Sequence, residues 1–312
     1  MSKLLIEPSP HIRSGATTQK IMLHVLIALL PAVVAGTIIF GLRALLLVVL
    51  CATFAVLSEY IFNLITKRPQ SIYDLSAVVT GVLLGLNLPP ALPIYMAAIG
   101  SAVAIIVVKQ FFGGIGQNFA NPAITARIVL MLSFGGYMST WAAPFWYKTG
   151  TIDAVTTATP LAMDSGLPSY LDMFLGIRGG CIGETCIAAL LLGGLYLIAV
   201  RVINPLVPAA FIGTVALCTF VSGGDVLMEI MSGGLFLGAF FMATDYVTTP
   251  ITTAGRVIFA IGCGLITVVI RNFANIPEGV SFSILIMNIL TPLIDRYVKP
   301  RPFGVKKEAS GK

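Results

Sequence analysis

Asn118-Phe119-Ala120-Asn121 returns as Asn272-Phe273-Ala274-Asn275, an offset of 272 − 118 = 154, close to half of the 312-residue chain. Each copy follows a Val-rich apolar run and a basic residue, Lys109 or Arg271. Each is followed by a proline and another apolar run. Equivalent placement of the two copies reads as a duplication. Outward from them, apolar runs near the length of a bilayer crossing, or somewhat shorter, cover 21–41, 44–65, 72–88, 92–108, 123–136, 181–200, 206–221, 227–244, 256–270 and 280–295. Ten runs make two sets of five. Five is odd, so the second set enters the membrane upside down, as in many transporter folds. The expected fold is all-α and multi-spanning, with about ten transmembrane helices in two inverted five-helix repeats. Its parts are an N-terminal segment 1–20, a first repeat 21–165, a second repeat 166–298 and a basic tail 299–312.

Composition supports the membrane class. The chain is 57% hydrophobic and 10% charged, against about 25% charged in soluble domains. Its mean hydropathy is +0.96. The expected surroundings are lipid, with no nucleic-acid partner. The formal charge of +6 matters through its placement. Fifteen basic residues, Lys109 and Arg127 among them, fall on the side of the termini. Only Arg43, Lys148, Arg178 and Arg271 fall on the other. That bias puts both termini in the cytoplasm and the loop 137–178 outside the cell membrane. The first twenty residues carry charges and prolines rather than a leader's apolar core. The run Lys299–Lys307 serves as a topology anchor that also attracts anionic lipid.

Two proline-bearing breaks stand at corresponding places, Asn87-Leu-Pro-Pro90 after the third run and Asp245-Tyr-Val-Thr-Thr-Pro250 after the eighth. Carbonyls freed by proline must be covered by protein or line a cavity, because lipid offers them no donor. Thr244, Asp245 and Asn87 are therefore candidates for lining an ion or cofactor cavity. Glu59, within the second run, is the most deeply placed acid, and intramembrane charge is costly and usually functional. Asp74 and Glu184 are further acids at or near the membrane, whereas Asp225 and Glu229 suit a helix start. The cysteines, Cys51, Cys181, Cys186, Cys218 and Cys263, form no Cys-x-x-Cys pair, and His11 and His24 have no partner pattern. No metal site is expected. Gly113-Gly-Ile-Gly116 lacks the strand and the Lys-Ser/Thr of a phosphate loop and reads as a tight turn.

The chemistry-bearing stretch is Asp153-Ala-Val-Thr156-Thr157-Ala-Thr159 in the external loop. Threonines are ordinary turn residues, and with no histidine nearby they make no hydrolase triad. A hydroxyl there can accept a group transferred by another enzyme. The stretch resembles the flavinylation motif of the D subunit of the Rnf complex and of the B subunit of sodium-pumping NADH:quinone reductase. In that pattern an aspartate precedes Ser/Thr, a small residue, Ala and the acceptor Thr. Matched by position, Thr159 is the acceptor, Asp153 the upstream acid, and Thr156 or Thr157 the hydroxyl before it. Thr157 departs from the usual small residue. Ser9-Pro-His-Ile-Arg13, Phe112–Asn118, Asn121-Pro-Ala123, Gly183-Glu-Thr185 and Phe241–Asp245 are similar to family landmarks in the same order. Ser14-Gly-Ala-Thr17 fits the short pattern too, but lacks the aspartate and lies on the cytoplasmic side.

The resemblance implies FMN joined to Thr159 through a phosphoester bond by a flavin transferase, and a second, non-covalent flavin such as riboflavin. It implies a redox complex passing electrons from ferredoxin to NAD while Na⁺ or H⁺ crosses the membrane. The implied partners are a membrane-anchored FMN subunit and iron–sulfur subunits. Two alternatives stay open: the quinone reductase B subunit, which typically carries a longer N-terminal extension, and a non-redox solute channel of urea-transporter-like fold.

Overall fold

The computed structural model describes residues 16–148, 156–157, 168–274 and 278–299. Helices occupy every apolar run of the sequence, and four are long and apolar enough to cross a membrane: α1 (Thr18–Phe40), α2 (Leu42–Ile65), α12 (Thr253–Phe273) and α13 (Val280–Tyr297). At 1.5 Å per residue, the 23 residues of α1 span about 35 Å, slightly more than the hydrocarbon core. α1 is apolar on both sides. Ala28, Leu29, Ala32 and Phe40 are buried, while Leu23, Leu30, Val34 and Ile38 face outward. A soluble helix would place charge on that outer face.

The other helices are shorter: α3 (Ser76–Leu86), α4 (Ile94–Ala102, continued as a π-helix over Val103–Gln110), α5 (Pro122–Ser133) and the one-turn α6 (Gly135–Met138). After the loop that follows α6 come α7 (Tyr170–Leu175), α8 (Ile187–Ala199), α9 (Leu206–Val221), α10 (Val226–Met231), α11 (Leu235–Leu237, continued as a π-helix over Gly238–Met242), then α12 and α13. The expected run 227–244 is thus split between α10 and α11. A two-residue ladder, β1 (Trp141–Ala142) with β2 (Thr156–Thr157), interrupts the otherwise helical chain. The helical period of the apolar runs holds no signal for that ladder, and the all-α expectation omitted it.

Local sequence sets the helix ends. Thr17, Asn121, Ser169, Asp225 and Thr252 each accept a backbone N–H in the first turn of the helix they precede. Pro122 begins α5, where its missing N–H costs nothing. The glycine-rich turn after Gln110 has Gly113, Gly114 and Gly116 at φ between 90° and 118°, the tight turn expected of it.

Helices approach closely through small residues. A Cβ on Gly81 of α3 would lie 2.5 Å from Ala52 Cα of α2, and one on Gly193 of α8 would run into the Ala28 carbonyl of α1. Lipid gives helices no hydrophobic reason to associate, so van der Waals contact of this kind holds them. α1 packs on α8 and α5 packs on α13, while α2 packs on α4 much as α9 packs on α12.

Candidate functional site

The described part of the loop between α6 and α7 is its root. β1 runs antiparallel to β2, with Trp141 opposite Thr157 and Ala142 opposite Thr156. The Phe145 N–H then donates to the Ile39 carbonyl (2.8 Å), and the Tyr147 hydroxyl donates to the Ile38 carbonyl (2.9 Å). These bonds pin the loop to the C-terminal end of α1. Asp153 and Thr159 lie outside the described residues. At the loop's other root, the Tyr170 hydroxyl donates to Asp225 Oδ2 (2.6 Å). That bond lowers the Asp225 pKa, helped by the Met228 N–H, and the same carboxylate raises the Tyr170 pKa. The alternative acceptor, Thr17, has its hydroxyl engaged as the cap of α1, accepting from the Lys20 N–H at 3.3 Å.

Beside the second break lies a cleft with about 800 Å³ of space, part of it open to solvent. Apolar walls come from α1, α3, α8 and the π-helix at Phe240–Phe241. Ser76, Lys109, Asn118, Asn121, Thr244 and Asp245 add polar groups. Thr244 and Asp245 therefore line a cavity, as the sequence suggested. Asn87 does not. It touches the second break at Met242 Sδ (3.9 Å) but turns its Oδ1 to Arg127.

Arg127 is the largest departure from the sequence reading. The charge count places it on the side of the termini, yet it is 3% exposed in the middle of α5. Its guanidinium pairs with Glu184 at 2.7 Å and with Glu278, donates to Asn87 Oδ1 at 2.7 Å and reaches Cys181 Sγ at 3.3 Å. Glu278 was missed because nothing local in the sequence marks it; its partner is 151 residues away. Cys181, Glu184 and Glu278 bring donor atoms within 4.8 Å of one another, but the Arg127 guanidinium occupies the space a cation would take.

Glu59 is fully buried as well. Both its oxygens accept from Lys109 Nζ at 3.0 Å, and Ser71 and Gln110 donate at 2.5 and 2.8 Å. In the second half, Arg271 pairs with Glu229 at 3.0 Å. Glu229, expected merely to suit a helix start, thus partners a buried arginine. Asp225 does cap α10, as expected, and Asp74 accepts from the Ser76 N–H at 2.8 Å. Lys109 and Arg271 precede the two Asn-Phe-Ala-Asn copies, and each pairs with a glutamate earlier in the chain, 50 and 42 residues back. The motif was legible, while the pairing it marks needed the structure. All five cysteines are free thiols, and His24 Nδ1 lies 2.8 Å from the Tyr196 hydroxyl.

Residues 5–304 match the NQR2, RnfD, RnfE family. The chain is 48% identical to the D subunit of the Na⁺-translocating ferredoxin:NAD⁺ oxidoreductase complex of Acetobacterium woodii, covering 98% of both chains. It is 44% identical to the D subunit of the proton-translocating ferredoxin:NAD⁺ oxidoreductase complex of Clostridium ljungdahlii, covering 97% of this chain and 96% of the relative. To the D subunit of the ion-translocating oxidoreductase complex of Stutzerimonas stutzeri it is 40% identical, over 95% and 94%. With apolar helices of membrane-crossing length and end-to-end similarity to these relatives, the chain belongs to the NQR2, RnfD, RnfE family.

Proposed function

We propose that this protein is the D-type membrane subunit of an ion-translocating ferredoxin:NAD oxidoreductase, carrying FMN as a phosphoester on Thr159 and relaying electrons while Na⁺ or H⁺ is moved. The observation that carries the reading is similarity along almost the whole chain to relatives named as that subunit. The subunit acts within its complex, beside a membrane-anchored FMN subunit and iron–sulfur subunits, and has no activity alone. Held on the outer face, the flavin would supply one- and two-electron chemistry. The chain's own contribution is position. The β1–β2 ladder and the bonds from Phe145 and Tyr147 to α1 fix the root of the loop that bears Thr159. A flavin transferase would move the FMN phosphoryl group from a flavin dinucleotide to the Thr159 hydroxyl, the pyrophosphate bond breaking and the nucleoside monophosphate leaving as the Thr Oγ–P bond forms, with Asp153, Thr156 and Thr157 completing the recognised stretch.

The cleft beside the second break suits the second, non-covalent flavin, because its apolar walls with a few amide and hydroxyl groups match a planar ring with a polar edge. For the fold, we propose ten spans in two inverted repeats. Corresponding helices meet in pairs, α1 with α8 and α5 with α13, and each half buries a basic residue of its fourth helix against a glutamate. Setting aside the buried Lys109, Arg127, Arg178 and Arg271, the basic residues divide thirteen against two, in favour of cytoplasmic termini and an outer flavin loop.

The test is in-gel fluorescence of the denatured chain expressed with its flavin transferase. A fluorescent band is expected for the wild type and Thr17→Ala, and a dark one for Thr159→Ala. A dark wild-type band, with an intact mass equal to the bare chain, would overturn the flavoprotein reading.

A further inference from the structure

Where the turn between α8 and α9 meets the second break lies a smaller pocket, with about 310 Å³ of space. Asn204, Thr244, Tyr246, Thr249 and Arg256 form its polar lining, and Val202, Ile203, Thr244 and Tyr246 also border the larger cleft. We propose that this pocket binds the phosphate of an anionic membrane phospholipid through the Arg256 guanidinium and the Asn204 amide. The inference is independent of any redox cofactor.

The donor set favours an anion. Arg256 Nε donates to the Pro250 carbonyl at 3.0 Å, which fixes the guanidinium plane and leaves the outer nitrogens to the pocket. Among the described residues, no carboxylate lies within ion-pair distance of Arg256. The acids on the flanking segments have other donors: Asp245 accepts from the Val247 N–H and the Thr248 hydroxyl, and Asp295 from the Ile251 N–H. Asn204 Oδ1 accepts from the Leu206 N–H at 3.0 Å, so Nδ2 is the group it offers a ligand. The Thr249 and Tyr246 hydroxyls donate to the Asp245 and Val202 carbonyls and serve as fixed walls. A guanidinium fork with one amide beside it matches the oxygens of a phosphate.

Depth points to lipid as the source of that phosphate. Arg256 lies in the first turn of α12, whose 21 residues span about 32 Å, close to the thickness of the hydrocarbon core. Its guanidinium therefore stands at the level of the head groups. The bond from the Ile251 N–H to Asp295 brings the last turn of α13 to the same face, where Arg296 and Tyr297 are exposed. Leu206, Ile251 and Ile258, chain neighbours of the lining residues, are exposed as well. A soluble phosphate gains nothing from these apolar groups, whereas acyl chains cover them. Basic pockets between spanning helices suit phospholipid head groups at this depth. Because the two cavities share a wall, a head group held here also braces the second break against the α8–α9 turn.

The test is the apparent Tm of the delipidated full chain in detergent, with phosphatidylglycerol, phosphatidylcholine or inorganic phosphate added. Each variant is compared with itself without additive, so its intrinsic stability cancels. Phosphatidylglycerol well above its dissociation constant should raise the wild-type value by about 5 °C, and the other two additives should leave it unchanged. Arg256→Gln should lose the shift. Asn204→Ser, which keeps an oxygen to cap α9 but removes the amide donor, should reduce it. Arg296→Gln, an exposed change on the same face outside the pocket, should retain it. Native mass spectrometry should show one phosphatidylglycerol retained by the wild type and none by Arg256→Gln. An equal loss in Arg296→Gln would show diffuse attraction to the basic face and overturn the proposal. So would a wild-type shift with inorganic phosphate alone, or no difference between the two lipids.

Discussion

Replacing Arg127 by Gln should be far more damaging than replacing either of its acidic partners. The guanidinium is 3% exposed and serves Glu184 and Glu278, themselves 4% and 6% exposed. Removing one side of a buried ion pair costs about 3–5 kcal/mol, because the other charge is left uncompensated. Here two carboxylates would be left, with oxygens within 4.8 Å of each other. At an effective dielectric constant of about 20, their repulsion at that distance is about 3 kcal/mol. The upper end of the 3–5 kcal/mol range is therefore expected for Arg127→Gln. Glu278→Gln is a different case. It gives up a charge-assisted hydrogen bond of about 1.5–3 kcal/mol but also removes that repulsion, and a neutral Arg127–Glu184 pair remains. Its net effect should lie within about 1 kcal/mol of zero. At roughly 2–4 °C per kcal/mol, apparent Tm should fall by about 10–15 °C for Arg127→Gln and by no more than about 4 °C for Glu278→Gln. The assay is tryptophan fluorescence of the detergent-solubilised chain, scanned at one fixed rate because unfolding will be irreversible. Equal shifts for the two variants, or an Arg127→Gln shift under about 4 °C, would refute the charge argument.

Glu59→Gln should likewise cost about 3–5 kcal/mol by leaving Lys109 charged and buried, and the double change Glu59→Gln with Lys109→Met should recover part of that loss in the same thermal scan. Gly81→Val should wedge α3 away from α2, a loss of about 1–3 kcal/mol seen as lower apparent Tm and lower yield of folded protein. The Tyr170–Asp225 bond should fasten the end of the loop between α6 and α7 only over a pH window. Asp225 has a lowered pKa, so its contribution is present above the ordinary carboxylate value and is lost as pH falls through the lowered one. Tyr170 has a raised pKa, so its contribution is lost as pH rises past the ordinary tyrosine value of about 10. Hydrogen exchange across residues 168–178 should accelerate outside that window in the wild type, and Tyr170→Phe should flatten the dependence.

Class, helix positions and the family were legible in the chain because each rests on local pattern. Apolar runs of bilayer length, the repeated Asn-Phe-Ala-Asn and the Asp-Thr-Thr-Ala-Thr stretch need no knowledge of what lies beside them. The cap at Asp225 was legible for the same reason, since it bonds to an N–H group three residues away. Thr17 shows the limit of motif reading. Its tetrapeptide matched the acceptor pattern, yet its hydroxyl caps a helix.

Sequence alone thus determined that the chain is a membrane protein, where its helices run and which loop carries the threonines, because hydrophobic burial in lipid and covalent order are written residue by residue. Tertiary structure alone decided the partners of its charges. Arg127 meets Glu278 across 151 residues and Lys109 meets Glu59 across 50. Only helix packing brings those groups together, and only that proximity makes a charge in low dielectric bearable. Whether a basic residue is a surface anchor or the hub of a buried cluster is therefore a property of the fold, and no window of sequence contains it.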